Sequence, residues 1–222
     1  MGQAKGTRVI GFLDYIASLA GGLNKDEGLH FGDPDKVVRK VIVCWMADVA
    51  AISYAGRVGA NLIIAHESLF YPYDVLVTGN VPGFLSWRTN SRRHELLAKF
   101  GISLIRAHRS LDKLCILDDF ASLLGLPEPL ISEEHLVKVY DIEPITYGAL
   151  IHRVKEATGM ELVRVTGGDR NRLIRRVGLP WGGLGLFTNV GYMQKLVEHG
   201  VEVFIAGETD NYGLRFAIDA GI

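Results

Sequence analysis

The chain reads as an α/β protein of two related lobes, each built on a mostly parallel sheet. Three observations predict this. The segment Gly59-Ala-Asn-Leu-Ile-Ile-Ala-His66-Glu67 shares its plan with Gly200-Val-Glu-Val-Phe-Ile-Ala-Gly-Glu208: a turning glycine, a short apolar or β-branched run, then Ala-x-Glu. The helical stretches before the two copies align at one constant spacing, Asp48 with Asn189, Val49 with Val190, Ile52 with Met193 and Ala55 with Leu196. Upstream, Lys40-Val-Ile-Val-Cys-Trp45 aligns with Arg176-Val-Gly-Leu-Pro-Trp181 at a shorter spacing, which puts an insertion in the glycine-rich stretch Gly182-Gly-Leu-Gly185. Such a duplication places His66, Glu67 and Glu208 at equivalent strand ends, where open α/β sheets hold their ligands.

The elements follow in order. Residues 8–20 carry helical spacing and stop at Gly21-Gly22. Residues 40–46 form a continuous apolar run, the mark of a buried strand. Asp48 caps a helix of small residues that ends at Gly59, and Leu62–Ala65 is the next strand, so a parallel pair with a right-handed crossover is expected. Residues 70–88 are irregular; their aromatics Phe70, Tyr71, Tyr73, Phe84 and Trp87 suit either an interface or a lid. Ser91–Phe100 reads as a helix closed by Gly101, Ile102–Ala107 as a strand, and Leu111–Leu124 as a helix stopped by Gly125 and Pro127. Two prolines and an acidic cluster over 127–135 mark a lobe boundary, giving lobes 1–126 and 127–222. In the second lobe come a strand at 137–141, a helix from Thr146 to Gly159, a strand at 161–165 and a strand at 173–179.

Composition excludes several classes. The 222 residues are 48% hydrophobic, enough for a sizeable core, and 24 basic against 25 acidic side chains leave a net charge of −1. That balance argues against nucleic acid and against an anionic membrane surface. Cys44 and Cys115 lie in apolar runs and read as core residues of a reduced protein. No stretch is long enough to span a bilayer and no signal-peptide pattern opens the chain, so a cytoplasmic location is expected.

Two motifs carry chemistry. His66-Glu67 follows a strand, and neutral imidazole with carboxylate suits a borderline divalent cation such as Zn, Mn or Fe. The bland reading is a capping pair at a turn. His108-Arg-Ser-Leu-Asp112 also follows a strand; His108 and Asp112 share a helical turn, although an Asp there is equally a dipole-favoured first-turn residue. Taken together, two strands of one sheet finishing in a histidine plus an acid point to a shared metal site. Gly182-Gly-Leu-Gly185 has the look of an anion-cradling turn, or of a plain tight turn into a helix. His30, His94, His135, His152 and His199 lack an acidic constellation and read as surface or packing residues.

On these residues the chain resembles the Nif-three-like dinuclear-metal family, whose members also bear the name GTP cyclohydrolase I type 2 homologues. The matching pieces are Gly32-Asp-Pro-Asp-Lys-Val, the strand at 41–46, Gly59 to Glu67, Arg106-Ala-His108-Arg-Ser-Leu-Asp112, and Ile205-Ala-Gly-Glu208. The resemblance implies two α/β lobes, a toroidal homohexamer, and two divalent metals per subunit in a cleft between lobes. It makes His66 and Asp112 metal ligands, with His108 beside them. Three departures stand out. Glu67 replaces a second histidine, Asn211-Tyr212 replaces a histidine pair, and the family's last ligands, a His-x-x-x-Glu, would follow the next strand. The repeat aligns Leu97-Ala-Lys-Phe-Gly101-Ile102 with Ala217-Ile-Asp-Ala-Gly221-Ile222, so the second lobe is expected to be incomplete at its C-terminal side, with a longer natural form.

The function expected is that of a metal-dependent hydrolase of an unidentified small-molecule substrate. Metal-activated water would be the nucleophile, His66, Glu67 and Asp112 the metal ligands, and His108 the catalytic proton relay. The alternative is a non-catalytic metal-binding or interaction scaffold forming a ring-shaped oligomer.

Overall fold

The structure, a computed structural model, describes residues 6–222. The chain divides into two compact units, the first ending at Leu114 and the second running Cys115–Ile222.

The first unit opens with α1 (Val9–Ala20), which stops where Gly21 takes a left-handed φ of 74°. Then come β1 (Gly28–Phe31), β2 (Val41–Cys44), α2 (Val49–Arg57) and β3 (Leu62–Ala65). Asp48 caps α2 by accepting a hydrogen bond from the Ala51 N–H at 2.7 Å. A one-turn helix α3 (Val75–Thr78) precedes α4 (Arg88–Phe100), β4 (Ser103–Arg106) and the short α5 (Arg109–Leu111). The sheet order is β1-β4-β3-β2, with β2, β3 and β4 parallel and β1 antiparallel to β4. Alternation along β3 sends Ile63 and Ala65 to the face covered by α2 and α4, and Leu62 and Ile64 to the α1 face. Gly56 lets α2 meet Phe100 of α4, because a Cβ there would stand 2.5 Å from the Phe100 ring.

Three expectations change here. Strand β2 lies at the sheet edge, with Val43 69% exposed, because α1 and α2 leave one side of it uncovered. Phe70 belongs to the core and Phe84 packs against it, which leaves Tyr71, Tyr73 and Trp87 as the exposed aromatics of 70–88. The expected helix 111–124 is broken: a π-helical stretch, Asp112–Ile116, separates α5 from α6 (Leu117–Leu123).

Phe120 and Ala121 of α6, with Leu124 just after it, join the core of the second unit, which therefore begins upstream of the boundary suggested by composition. Helix α6 is followed by β5 (Ile131–Glu133), β6 (Val137–Thr146), α7 (Tyr147–Thr158), β7 (Leu173–Gly178), α8 (Val190–Glu198), β8 (Val203–Phe204) and α9 (Asn211–Asp219). The order is β5-β6-β7-β8, and only β7 and β8 are parallel. The expectation of mostly parallel sheets therefore holds for the first unit and not for the second. A tight turn with left-handed Glu134 and His135 folds β5 back on β6, and α7 returns the chain beside β6 rather than across the sheet. Residues 161–165 form no strand. Gly182–Gly185 is a 3-10 turn in which a Cβ on Gly185 would stand 2.2 Å from the Glu208 carbonyl oxygen, so close packing accounts for that glycine.

The duplication survives at the level of single hydrogen bonds. The Asn61 N–H bonds the Lys40 carbonyl at 3.1 Å, and the Glu202 N–H bonds that of Arg176 at 3.0 Å. After the helices, Ile102 N–H reaches Leu97 O and Ile222 N–H reaches Ala217 O, both at 2.9 Å.

Candidate metal centre

The first unit gathers its chemistry at the C-terminal ends of its parallel strands, where the backbone has run out of sheet partners and side chains turn toward one another. His66 and Glu67 follow β3, and both N–H groups are tied to the Trp45 carbonyl, at 3.0 and 2.8 Å. His108 follows β4, and Asp112 opens the π-helical stretch, an irregularity that often marks a functional position.

The structure brings all four expected residues together. His66 is buried, and each of its ring nitrogens faces an acid: Nδ1 lies 3.0 Å from Glu67 Oε1, and Nε2 lies 3.1 Å from Asp112 Oδ1. The His108 ring stands edge-on to His66, with centroids 4.7 Å apart. His66, Glu67 and His108 each offer one donor atom such that the three lie within 4.8 Å of one another. Asp112 meets the opposite nitrogen of His66 from Glu67 and lies outside that trio.

Sequence reasoning missed the surroundings. Arg106, the last residue of β4, is fully enclosed. Its guanidinium donates to the His66 carbonyl at 3.2 Å, to Tyr73 Oη at 2.7 Å, to the Asp26 carbonyl at 3.3 Å, and to the Asp74 carboxylate. Asp26 Oδ2 lies 2.7 Å from His108 Nδ1. Glu27 accepts from the N–H groups of His108 and Ser110, at 2.6 and 2.8 Å, and from the Ser110 hydroxyl at 2.6 Å. Part of the signal was available: an arginine closing a buried strand after Leu104 and Ile105 demands acidic partners, and Asp26-Glu27 stands just before β1.

Electrostatics follow from this packing. Burial opposes a charged His66, but hydrogen bonds to Asp112 and Glu67 and their charges outweigh it, and the imidazole pKa is pushed up to about 9. Burial also works against the Glu67 carboxylate, yet the His66 hydrogen bond and charge hold it below the usual range. Burial penalises the Asp26 carboxylate too, but the His108 hydrogen bond together with the charges of His108 and Arg106 outweighs it and holds the group below its usual range. Five carboxylates, Asp26, Glu27, Glu67, Asp74 and Asp112, share this network with one guanidinium. Such an excess of negative charge around imidazole donors suits a cation. The His66 Nδ1–Glu67 Oε1 separation of 3.0 Å is also that of two ligands at right angles about 2.1 Å from one divalent ion.

Among the described residues no helix is long and apolar enough to cross a membrane. Glu208, expected at the equivalent strand end of the second unit, follows β8 and bonds through its N–H to the Gly182 carbonyl at 3.3 Å.

Comparison with known proteins gives a consistent picture. The chain is 29% identical over 188 residues to the GTP cyclohydrolase 1 type 2 homolog of Lactococcus lactis, covering 82% of this chain and 68% of that protein. It is 25% identical over 189 residues to the protein of the same name from Neisseria meningitidis serogroup B, covering 83% and 70%. Its fold matches the crystal structure of a Staphylococcus aureus hypothetical protein with a TM-score of 0.80 at 17% identity, over 98% of this chain and 84% of the other. A Bacillus cereus protein related to NIF3 matches with a TM-score of 0.78 at 16% identity, over 98% and 87%. The family model for Duf34/NIF3 (NGG1p interacting factor 3) matches residues 4–222, and the chain belongs to that family.

Proposed function

We propose that the first unit binds a divalent metal ion through His66 and Glu67, with Asp112 on the other nitrogen of His66, and that the protein is a metal-dependent hydrolase of a small molecule. The observation that carries the reading is a buried imidazole with a carboxylate at each ring nitrogen and a second imidazole alongside. A bound divalent ion supplies Lewis acidity and lowers the pKa of water in its shell. The chain's own residues do the rest. Trp45, stacked on His66 with ring centroids 3.9 Å apart, shields one face of the site from solvent. Arg106, bonded to the His66 carbonyl, fixes the strand end from which both donors project. The test is turnover of a panel of phosphate, ester and amide substrates before and after chelation, with His66→Ala as control. GTP belongs on the panel because relatives carry the name GTP cyclohydrolase 1 type 2 homolog. Metal-dependent turnover that His66→Ala abolishes supports the reading; bound metal without any turnover favours a scaffold.

We also propose a homo-oligomer, most simply the hexamer that the family likeness implies. Its support is the unpaired edge of β2 with Val43 exposed, a surface of the kind a partner copy covers. Light scattering that finds a monomer at micromolar concentration overturns this.

A further inference from the structure

We propose that His108 is a third ligand of the cation site and that Asp26 is the positioning residue that holds it there. This rests on the metal-binding reading above and deepens it, because it assigns His108 to the ion rather than to the proton relay suggested by sequence.

The argument starts from hydrogen-bonding inventory. A neutral imidazole has one N–H and one lone pair, and whichever nitrogen donates leaves the other to coordinate. His108 Nδ1 lies 2.7 Å from Asp26 Oδ2 and 3.4 Å from an Arg106 nitrogen. The shorter contact, to a carboxylate that only accepts, fixes the proton on Nδ1. Nε2 is then the nitrogen with a free lone pair. A carboxylate behind the outer nitrogen of a histidine is the arrangement that orients metal-ligating imidazoles and raises their basicity.

The backbone around His108 is held just as firmly. Glu27 binds the N–H groups of His108 and Ser110 and the Ser110 hydroxyl, and its carboxylate also accepts from the Asn24 N–H at 2.7 Å. One short loop before β1 thus fixes both the ring and the chain that carries it. The trio that results is two imidazoles and one carboxylate, His66, His108 and Glu67, with donor atoms within 4.8 Å of one another. Three protein ligands of this kind suit one borderline divalent ion and leave coordination positions open for water or substrate. All three, with Asp26 and Glu27, lie in the first unit.

Cobalt(II) is the probe, because its visible absorption reports both binding and ligand type. The full chain is titrated with Co2+ alongside Asp26→Ala, Asp26→Asn, His108→Ala and His66→Ala, with melting curves to confirm folding. In parallel, nitrogen NMR of the metal-free protein locates the His108 proton. The proposal expects the wild type to carry that proton on Nδ1 and Asp26→Ala to redistribute it. It expects Asp26→Ala to bind Co2+ about 10–100-fold more weakly, with His108→Ala weaker still and a changed cobalt spectrum. Asp26→Asn keeps an acceptor for Nδ1–H, so it folds with the least disturbance and shows a smaller loss in the same direction. A merely structural Asp26 would not move the proton on His108. Unchanged Co2+ affinity in His108→Ala and both Asp26 variants, with binding lost in His66→Ala, overturns the inference and leaves the metal site standing. A wild type that binds no Co2+ overturns both.

Discussion

Replacing Arg106 tests whether the network behind the site is held by one buried charge. Arg106→Met keeps much of the side-chain volume and removes the guanidinium. It leaves the Asp74 carboxylate, the His66 carbonyl and Tyr73 Oη without their donor inside a region where Arg106 itself is fully enclosed. Removing one partner of a buried ion pair costs about 3–5 kcal/mol, because the remaining charge stays buried and unpaired. Asp26 and Asp74 are each about a fifth to a quarter exposed, which places the expected loss at the lower end, about 3 kcal/mol. At roughly 2–4 °C per kcal/mol for a chain of this size, the melting temperature falls by about 10 °C. Urea denaturation followed by circular dichroism measures the loss. A cycle with Asp74→Asn then isolates the pair: the double variant should be at least ~1 kcal/mol more stable than the two single losses added together. A loss below ~1 kcal/mol in Arg106→Met, or strict additivity in the cycle, would refute the claim that this arginine anchors the site.

Three further outcomes follow. Asn61 is buried, accepting from the Arg39 N–H at 2.8 Å and donating to the Val37 carbonyl at 2.8 Å, so Asn61→Ala should cost about 2 kcal/mol in denaturant titration. Gly185→Ala pushes a methyl against the Glu208 carbonyl and the Ala206 side chain, and should destabilise the protein by about 1–3 kcal/mol in the same assay. Burial first, and the nearby Asp48 charge second, push the Cys44 thiol up to about 11. The raised value favours the neutral thiol, so iodoacetamide labelling of Cys44 at neutral pH, read by mass spectrometry, should be ~100-fold slower than for an unperturbed thiol and should accelerate as pH rises toward 11.

Much of the first unit was legible because its signals are local. Asp48 before a run of small residues, Leu62–Ala65 after a turning glycine, and Gly101 closing α4 each announce an element by backbone chemistry, and each lies where it was expected. The second unit was harder. Val137–Gly178 alternates helix and strand as a parallel fold would, and only long-range pairing reveals that β5, β6 and β7 are antiparallel. Val43 and Trp45 show the limit of apolar runs: they read as buried strand, yet an edge strand with one open side carries the same residues. His66, Glu67, His108 and Asp112 could be proposed from strand ends alone. For Asp26 and Glu27 the sequence carries only the need of Arg106 for acidic partners; that these two meet His108 follows from β1 joining the sheet beside β4, which brings them in from far along the chain.

The most direct test of the central claim is the metal content of the protein purified without chelator, measured by mass spectrometry for the wild type and for His66→Ala. His66 stands between two carboxylates and beside His108, so an ion bound by this trio would lose a ligand in His66→Ala. The account predicts at least about one divalent ion per wild-type subunit and only a small residue in His66→Ala. Equal metal content in the two proteins, or none in the wild type after reconstitution with Zn, Mn or Fe, would contradict it.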